Sequence, residues 1–306
     1  MPPSSFILYN PPMHYDICLP WYWEYDIDFV HFVEKACNEQ RLTLWQVTPD
    51  NLLESVNALY KGEHTFHTLL DRSQGEDRFL PIDHWAKERG KKRINPAELS
   101  LWSEDKATMH LELITAGIIT PHTILLPPFL EQPVLPELDL TPLGAQFVIK
   151  PSNEGGGDGV ILGASSLEQI LRARMQFPKQ KYLLQATVIP RTILARPAWF
   201  RVFYAVGKTY PCWWHPFTHV YAEMTAAEEH RYGLAALHDL TRRIASLCRL
   251  DWFTTEIALT LDDFVVVDYV NDQIDTRIQT KAVDGAPDDI MQDVARQLVG
   301  LARGSR

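Results

Sequence analysis

Three groups of residues in this 306-residue chain could do chemistry. The first is a lysine ahead of a glycine run: residues 150–160 read KPSNEGGGDGV, with Lys150 at the start and Gly155, Gly156 and Gly157 in the middle. Glycines let backbone N–H groups approach phosphate oxygens with no side chain between them. A plain hairpin tip has the same composition, so the flanking residues decide. A P-loop needs Gly-Lys-Ser/Thr and then a helix, and a dinucleotide fingerprint also needs a helix. Here Val160, Ile161 and Leu162 follow, residues that favour a strand. The pattern is strand, glycine-rich flap, strand, with a lysine placed to reach phosphates under the flap.

The second group is a lysine at a helix start. Asp105 suits that position, where a carboxylate opposes the helix dipole, whereas Lys106 has the wrong sign for stability. It is either a solvated surface lysine or a second cation for an anionic ligand. The third group is acidic. Glu256 lies in WFTTEIAL and Asp268 in FVVVDYVN, two apolar stretches that read as a hairpin. If residues 261–263 form a three-residue loop, counting outward places Glu256 directly opposite Asp268, with Cβ atoms ~5 Å apart. Two carboxylates that close, on half-buried strands, need a cation or a shared proton. A divalent ion with oxygen ligands resolves the conflict, and Asn271 adds a neutral oxygen if the strand bends there. A loop of two or four residues would instead turn the acids to opposite faces.

The elements that must position these groups follow from pattern. Residues 6–9 and 42–47 read as strands and 28–40 as a helix. Thr48 with Pro49 reads as the N-cap and first position of a helix running to 61, and 68–70 as a further strand. Alternating strands and helices predict a small parallel α/β unit. Glycine, basic residues and Asn95-Pro96 mark a boundary between 89 and 100. A helix over 103–116 ends at Gly117 and leads to a strand at 123–126; proline-rich residues 127–142 connect to the glycine flap. Ser165 and Glu168 read as a capping box for a helix to 177. Then come a strand at 182–185, a hairpin over 199–214, a helix over 226–248, the acidic hairpin and a last helix over 287–302. The second half is therefore α+β.

Bulk composition narrows the class. The net charge of −10 lacks the basic balance of a nucleic-acid binder, so a polyanionic ligand must meet a few local cations or metal ions. No apolar run approaches the ~18 residues of a membrane span, and the expectation is a soluble, cytoplasmic protein. Cys18, Cys37, Cys212 and Cys248 form no Cys-x-x-Cys pair and read as reduced, structural thiols. His215 with His219 and His64 with His67 sit at metal-like spacings, but Pro216 denies the first pair a regular helix, and a zinc role is not expected. The cluster of Trp21, Tyr22, Trp23 and Tyr25 reads as packing or as the lining of a substrate entrance.

In order along the chain, these motifs resemble the ATP-grasp superfamily, which includes D-alanine–D-alanine ligase and glutathione synthetase. Asn95-Pro96, Asp105-Lys106 and the GIITP segment at 117–121 resemble its domain connection. VIKP at 148–151 with the glycine flap resembles its phosphate-covering strands, and LLQATV at 183–188 its adenine hinge. WFRVF at 199–203, Glu256, and Asp268 with Asn271 resemble its arginine and metal ligands. The resemblance spans about residues 90–275 and implies an N-terminal Rossmann-like pre-ATP-grasp domain (1–97) and two α+β lobes, 98–190 with the flap and 191–306 with the metal hairpin. It implies that Lys106 and Lys150 contact the ATP phosphates, Gly155, Gly156 and Gly157 close over them, and Gln185 with the backbone near Val188 holds adenine. Arg201 would stabilise the transferring phosphoryl group, and Glu256, Asp268 and Asn271 would carry one or two Mg2+ ions, with Mn2+ a substitute. The implied activity is a carboxylate–amine ligase acting through an acylphosphate, on small-molecule acid and amine substrates. A kinase, or a nucleotide-binding regulator with little turnover, uses the same site differently. Arg277 is a candidate clamp for a substrate carboxylate. Oligomeric state is open, with a homodimer compatible. Two departures stand out: Ala186 follows the hinge where the family usually has an acid, and Asp268 and Asn271 are one residue further apart than the family's Glu-x-Asn. A bulge would restore that geometry, and Asp272 is a rival to Asn271.

Overall fold

A computed structural model describes residues 11–73 and 76–304, which fall into two compact units. The strand expected at residues 6–9 lies outside the described residues. One unit takes the chain up to Ala97, with Asp275–Ile278 and the segment from Asp288 onward. It runs β1 (Met13–Pro20), α1 (Ile27–Gln40), β2 (Leu44–Val47), α2 (Leu52–Lys61), β3 (His64–Leu70), α3 (Leu80–Glu88) and β4 (Lys92–Ile94). The strands are parallel, in the order β2-β1-β3-β4. The central strand β1 escapes pattern reading for a physical reason: its last five residues are all buried, so no polar–apolar alternation marks it. Trp45, Phe66, Leu69, Ile82 and Trp85 pack in this unit's core. The helix expected from Thr48 starts at Leu52 instead. Asn51 Oδ1 accepts from Thr48 N at 2.8 Å, and this turn delays the helix.

The second unit spans Glu98–Ile274 and Gln279–Pro287. It opens with α4 (Ala97–Glu104) and α5 (Lys106–Thr115), then β5 (Thr123–Leu126), β6 (Phe147–Pro151), β7 (Ile161–Ala164), α6 (Leu167–Gln176) and β8 (Tyr182–Ala186). These strands form an antiparallel sheet in the order β5-β8-β6-β7. A ribbon of β9 (Thr192–Ile193) and β10 (Arg196–Pro197) leads to β11 (Trp199–Ala205), β12 (Lys208–Trp214), β13 (Tyr221–Glu223), α7 (Ala226–Tyr232), α8 (Ala236–Cys248), β14 (Trp252–Leu259) and β15 (Phe264–Asn271). The second sheet is antiparallel, ordered β13-β12-β11-β14-β15. Three boundaries move relative to the sequence reading: the helix expected over 103–116 starts only at Lys106, with Asp105 as its cap after the separate α4. The single helix expected over 226–248 breaks at Gly233, whose φ of +67° closes α7. The cap of α6 is Ser166 accepting from Gln169 N, one residue after the expected Ser165.

One face of the five-stranded sheet is apolar. Phe200, Val202, Trp213, Ile257 and Val266 bury it with Met109 and Leu113 of α5 and Leu237 and Ile244 of α8. Each large side chain so buried contributes ~2 kcal/mol, and together they fix which face of β11, β14 and β15 is left for polar residues. The last helix, α9 (Asp288–Arg303), packs on α1 and belongs with the parallel unit, although the sequence reading grouped it with residues 191–306. Both antiparallel sheets lie in one compact unit.

Candidate active site

The polar face of the second sheet carries the acids. Arg201 on β11 pairs with Glu256 on β14, and Glu256 pairs with Asp268 on β15, so the three share a row across adjacent strands. This register is reached by an unexpected route. The hairpin loop has four residues, 260–263, because Leu259 pairs with Phe264. That loop alone would turn Asp268 away from Glu256. A bulge between the Ile257–Val266 and Glu256–Asp268 pairs takes up Val267 and restores the pairing. A second irregularity lies between Glu256 and Thr254, where Thr254 pairs with Asn271. It returns Asn271 to the face of Asp268, as the longer Asp268–Asn271 spacing requires.

Lys150 comes from the other sheet. It is 6% exposed on β6, and its Nζ donates to the bulged Val267 carbonyl at 3.0 Å and lies 5.2 Å from the Tyr269 ring centroid. Burial pushes the ammonium down to about 8, while neighbouring Asp268 works the other way. The acids feel the converse field. Burial raises Glu256, Arg201 counters, and Asp268 raises it further. Burial also penalises Asp268, but Lys106, Lys150 and Arg201 together hold it below the usual carboxylate range. Arg201 Nη1 is 3.5 Å from Glu256 Oε1, with the side chains 13% and 19% exposed. Arg201 Nε donates to Thr254 Oγ1 at 3.2 Å, and its guanidinium lies over Trp214. Trp199 Nε1 donates to Glu256 Oε2 at 3.3 Å.

The glycine flap is tied to the start of α5. Asp105 caps that helix by accepting from Ala107 N and Thr108 N, and it pairs with Lys181 at 2.8 Å. Lys106 N donates to Ser152 O at 2.9 Å, and its Nζ donates to Glu154 O at 2.7 Å. The wrong-sign lysine is thus the tether of the flap. Gly155, Gly156 and Gly157 have open space where a Cβ would stand, whereas a Cβ on Gly159 would meet Phe177 Cε2 at 2.6 Å. The flap is therefore anchored at Gly159 and open at its tip.

The hinge differs in detail from expectation. Gln185 is buried, and its Nε2 donates to Tyr269 Oη at 2.7 Å and to Thr123 Oγ1 at 3.0 Å. Its side chain belongs to a polar network that also takes in His110, 2.8 Å from the same phenol oxygen. Burial pushes His110 down to about 4, with Lys150 and His122 adding to the effect. Val188 is partly buried just after β8. Tyr269 and His110 were not singled out from sequence; the signal was Tyr269 standing beside Asp268 in an apolar strand. Glu104 was also missed. It hydrogen-bonds buried Asp272, and burial with that neighbour pushes it up to about 9. Asp272 is therefore engaged by Glu104, while Asn271 shares the face of Asp268. Arg277 lies in the other unit, with its guanidinium bidentate on Asp275, Nε donating to Oδ1 at 3.1 Å and Nη2 to Oδ2 at 2.6 Å.

Two carboxylates paired across strands and an amide oxygen on the same face make a hard-oxygen donor set, with Lys106, Lys150 and Arg201 as the cations around it. The donor types and the raised Glu256 fit a Mg2+-class ion.

No protein-family model and no curated protein matches the sequence. Solved structures do match along nearly the whole chain. An ATP-grasp RimK domain protein from Sphaerobacter thermophilus is 17% identical, with a TM-score of 0.63 over 94% of this chain and 100% of that one. D-alanine–D-alanine ligase from Bacillus anthracis, complexed with ATP, is 12% identical with a TM-score of 0.65, covering 96% and 100%. The ATP-grasp ligase PsnB, complexed with a minimal precursor, Mg and ADP, is 12% identical with a TM-score of 0.62, covering 95% and 98%. A mixed α/β architecture matched end to end by three such structures identifies the fold: the chain has the ATP-grasp fold.

Proposed function

We propose that the protein is an ATP- and Mg2+-dependent carboxylate–amine ligase. The observation that carries this reading is the Arg201–Glu256–Asp268 row facing buried Lys150, with Lys106 tethering the glycine flap beside it. Structural neighbours that are ligases, one complexed with ATP and another with Mg and ADP, support it. In this reading the parallel unit is a Rossmann-like pre-ATP-grasp domain, and residues 98–190 and 191–274 are the two lobes around the nucleotide. The protein acts in the cytoplasm, in keeping with four buried free thiols.

Gly155, Gly156 and Gly157 present backbone N–H groups to the phosphates, and Lys106 and Lys150 neutralise them. The backbone near Val188 holds adenine, with Gln185 fixing the hinge through Tyr269. Glu256, Asp268 and Asn271 would hold one or two Mg2+ ions, which supply charge neutralisation between phosphoryl oxygens. The substrate carboxylate oxygen attacks the γ-phosphorus in line, ADP leaves, and Arg201 stabilises charge on the transferring group. An amine then attacks the acyl carbon and phosphate leaves, giving an amide. The protein's contribution is placement and electrostatics.

The test is phosphate release from Mg-ATP across panels of acids and amines. Release that requires both partners and yields an amide is the expected outcome; a stable phosphoester would make the protein a kinase. Arg201→Ala is expected to lower kcat by ~10²-fold or more. Full-rate ligation by that variant would remove the arginine from the mechanism.

A further inference from the structure

His14, Asp16 and His67 come together in the parallel unit, and none of them has a role in the site described above. His14 and Asp16 are two apart on β1, so they share a face. The parallel register pairs His14 with Thr65 and Ile17 with Thr68, which sets His67 beside Asp16 on that same face. The three side chains each offer one ligand atom, and these atoms lie within 4.8 Å of one another. The imidazoles meet with ring centroids 4.2 Å apart and planes at 75°. Asp16 is buried, and Thr43 braces it: Oδ2 accepts from Thr43 N at 2.7 Å and from Thr43 Oγ1 at 2.9 Å. His14 is exposed, which leaves the cluster open to solvent on one side.

We propose that this trio is a transition-metal site for Zn2+. Two imidazoles and one carboxylate are a donor set that favours zinc-class ions over Mg2+, and three protein ligands with an open side match a four-coordinate ion that keeps one water. A carboxylate pinned through its second oxygen by Thr43 is the outer-shell bracing that such sites use to orient a ligand. The site clips β1 to β3, the two central strands of the sheet, so the ion stabilises the parallel unit. The His64–His67 spacing is not the source of this pair. Those two residues point to opposite faces of β3, and the partner of His67 comes from β1.

The test uses the full chain after chelation, in a Glu256→Gln/Asp268→Asn background that removes the other acid pair. Zn2+ is titrated against a chromophoric chelator, and Co2+ binding is followed by its absorption spectrum. The proposal expects one Zn2+ per chain, a tetrahedral-type Co2+ spectrum, and a thermal midpoint that rises with Zn2+. His14→Ala and His67→Ala each weaken binding by ~10-fold or more and abolish the thermal shift. His14 is exposed, so its variant keeps the fold and decides the question should His67→Ala misfold. No Zn2+ uptake, or affinity unchanged in His14→Ala, overturns the proposal and leaves a hydrogen-bonded cluster only. Either result is independent of the ligase reading, because none of the three residues serves it.

Discussion

Lys150 shows what the site asks of a single residue. An ammonium that is 6% exposed is a cost to the fold, offset by the Val267 carbonyl and Asp268 and expressed as a value of about 8 instead of the usual ~10.4 for lysine. The sign follows. Between about pH 8 and pH 10 the unfolded chain holds a proton on this lysine that the folded chain has lost, so stability rises with pH across that window. Lys150→Met is expected to lack this pH dependence, so its stability relative to wild type falls as pH climbs from about 8 toward 10. Chemical denaturation at a series of pH values checks this; a gap that stays constant with pH would show that burial does not perturb the lysine. Lys150, Lys106, Glu256 and Asp268 were legible as residue types in a spacing, whereas Arg201 was reached only through the resemblance of its strand. Gln185 was legible as a position, but its bonds to Tyr269 and Thr123 depend on which strands adjoin, which local pattern does not encode.

At the scale of elements, the acidic hairpin shows how a right pairing can rest on a wrong count. A three-residue loop predicts Glu256 opposite Asp268; the structure has a four-residue loop and a bulge at Val267, and the two offsets cancel. The bulged Val267 carbonyl accepts from Lys150 of the other sheet, a contact that no pattern within residues 252–271 encodes. The second irregularity, before Asn271, was readable because the Asp268–Asn271 spacing demands it. The glycine flap separates fold from function in the same way. Gly159 has a φ of +68° and would drive a Cβ into Phe177, whereas Gly155 has neither a positive φ nor a neighbour within 4 Å. Gly159→Ala is expected to cost ~2 kcal/mol or more in denaturant melts of the second unit, and Gly155→Ala less than ~0.5 kcal/mol. Equal effects at the two positions would contradict the anchored-flap description.

At the scale of the molecule, the class was legible and the partition was not. Alternating strands and helices early, and strand pairs late, give the parallel and antiparallel sheets. Amphipathic spacing in residues 288–303 says that α9 buries a face but not against what, and the answer is α1, which the chain reached some 250 residues earlier. Met291, Val294, Leu298 and Val299 are buried there, at ~2 kcal/mol each. Truncation before Asp288 is therefore expected to unfold the parallel unit, seen as lost hydrogen-exchange protection in β1 and β3, while β11, β14 and β15 stay protected. Protection retained in β1 would contradict that partition. The formal charge of −10 sharpens the central claim, because a triphosphate on so acidic a chain must meet local cations, the role proposed for Lys106, Lys150, Arg201 and an ion at Glu256 and Asp268. The most direct test is calorimetric titration of a non-hydrolysable ATP analogue with and without Mg2+, on wild type and Asp268→Asn. Convergence predicts binding that requires Mg2+ and weakens by ~10-fold or more in the variant; no heat with wild type, or equal affinity in both proteins, would contradict it.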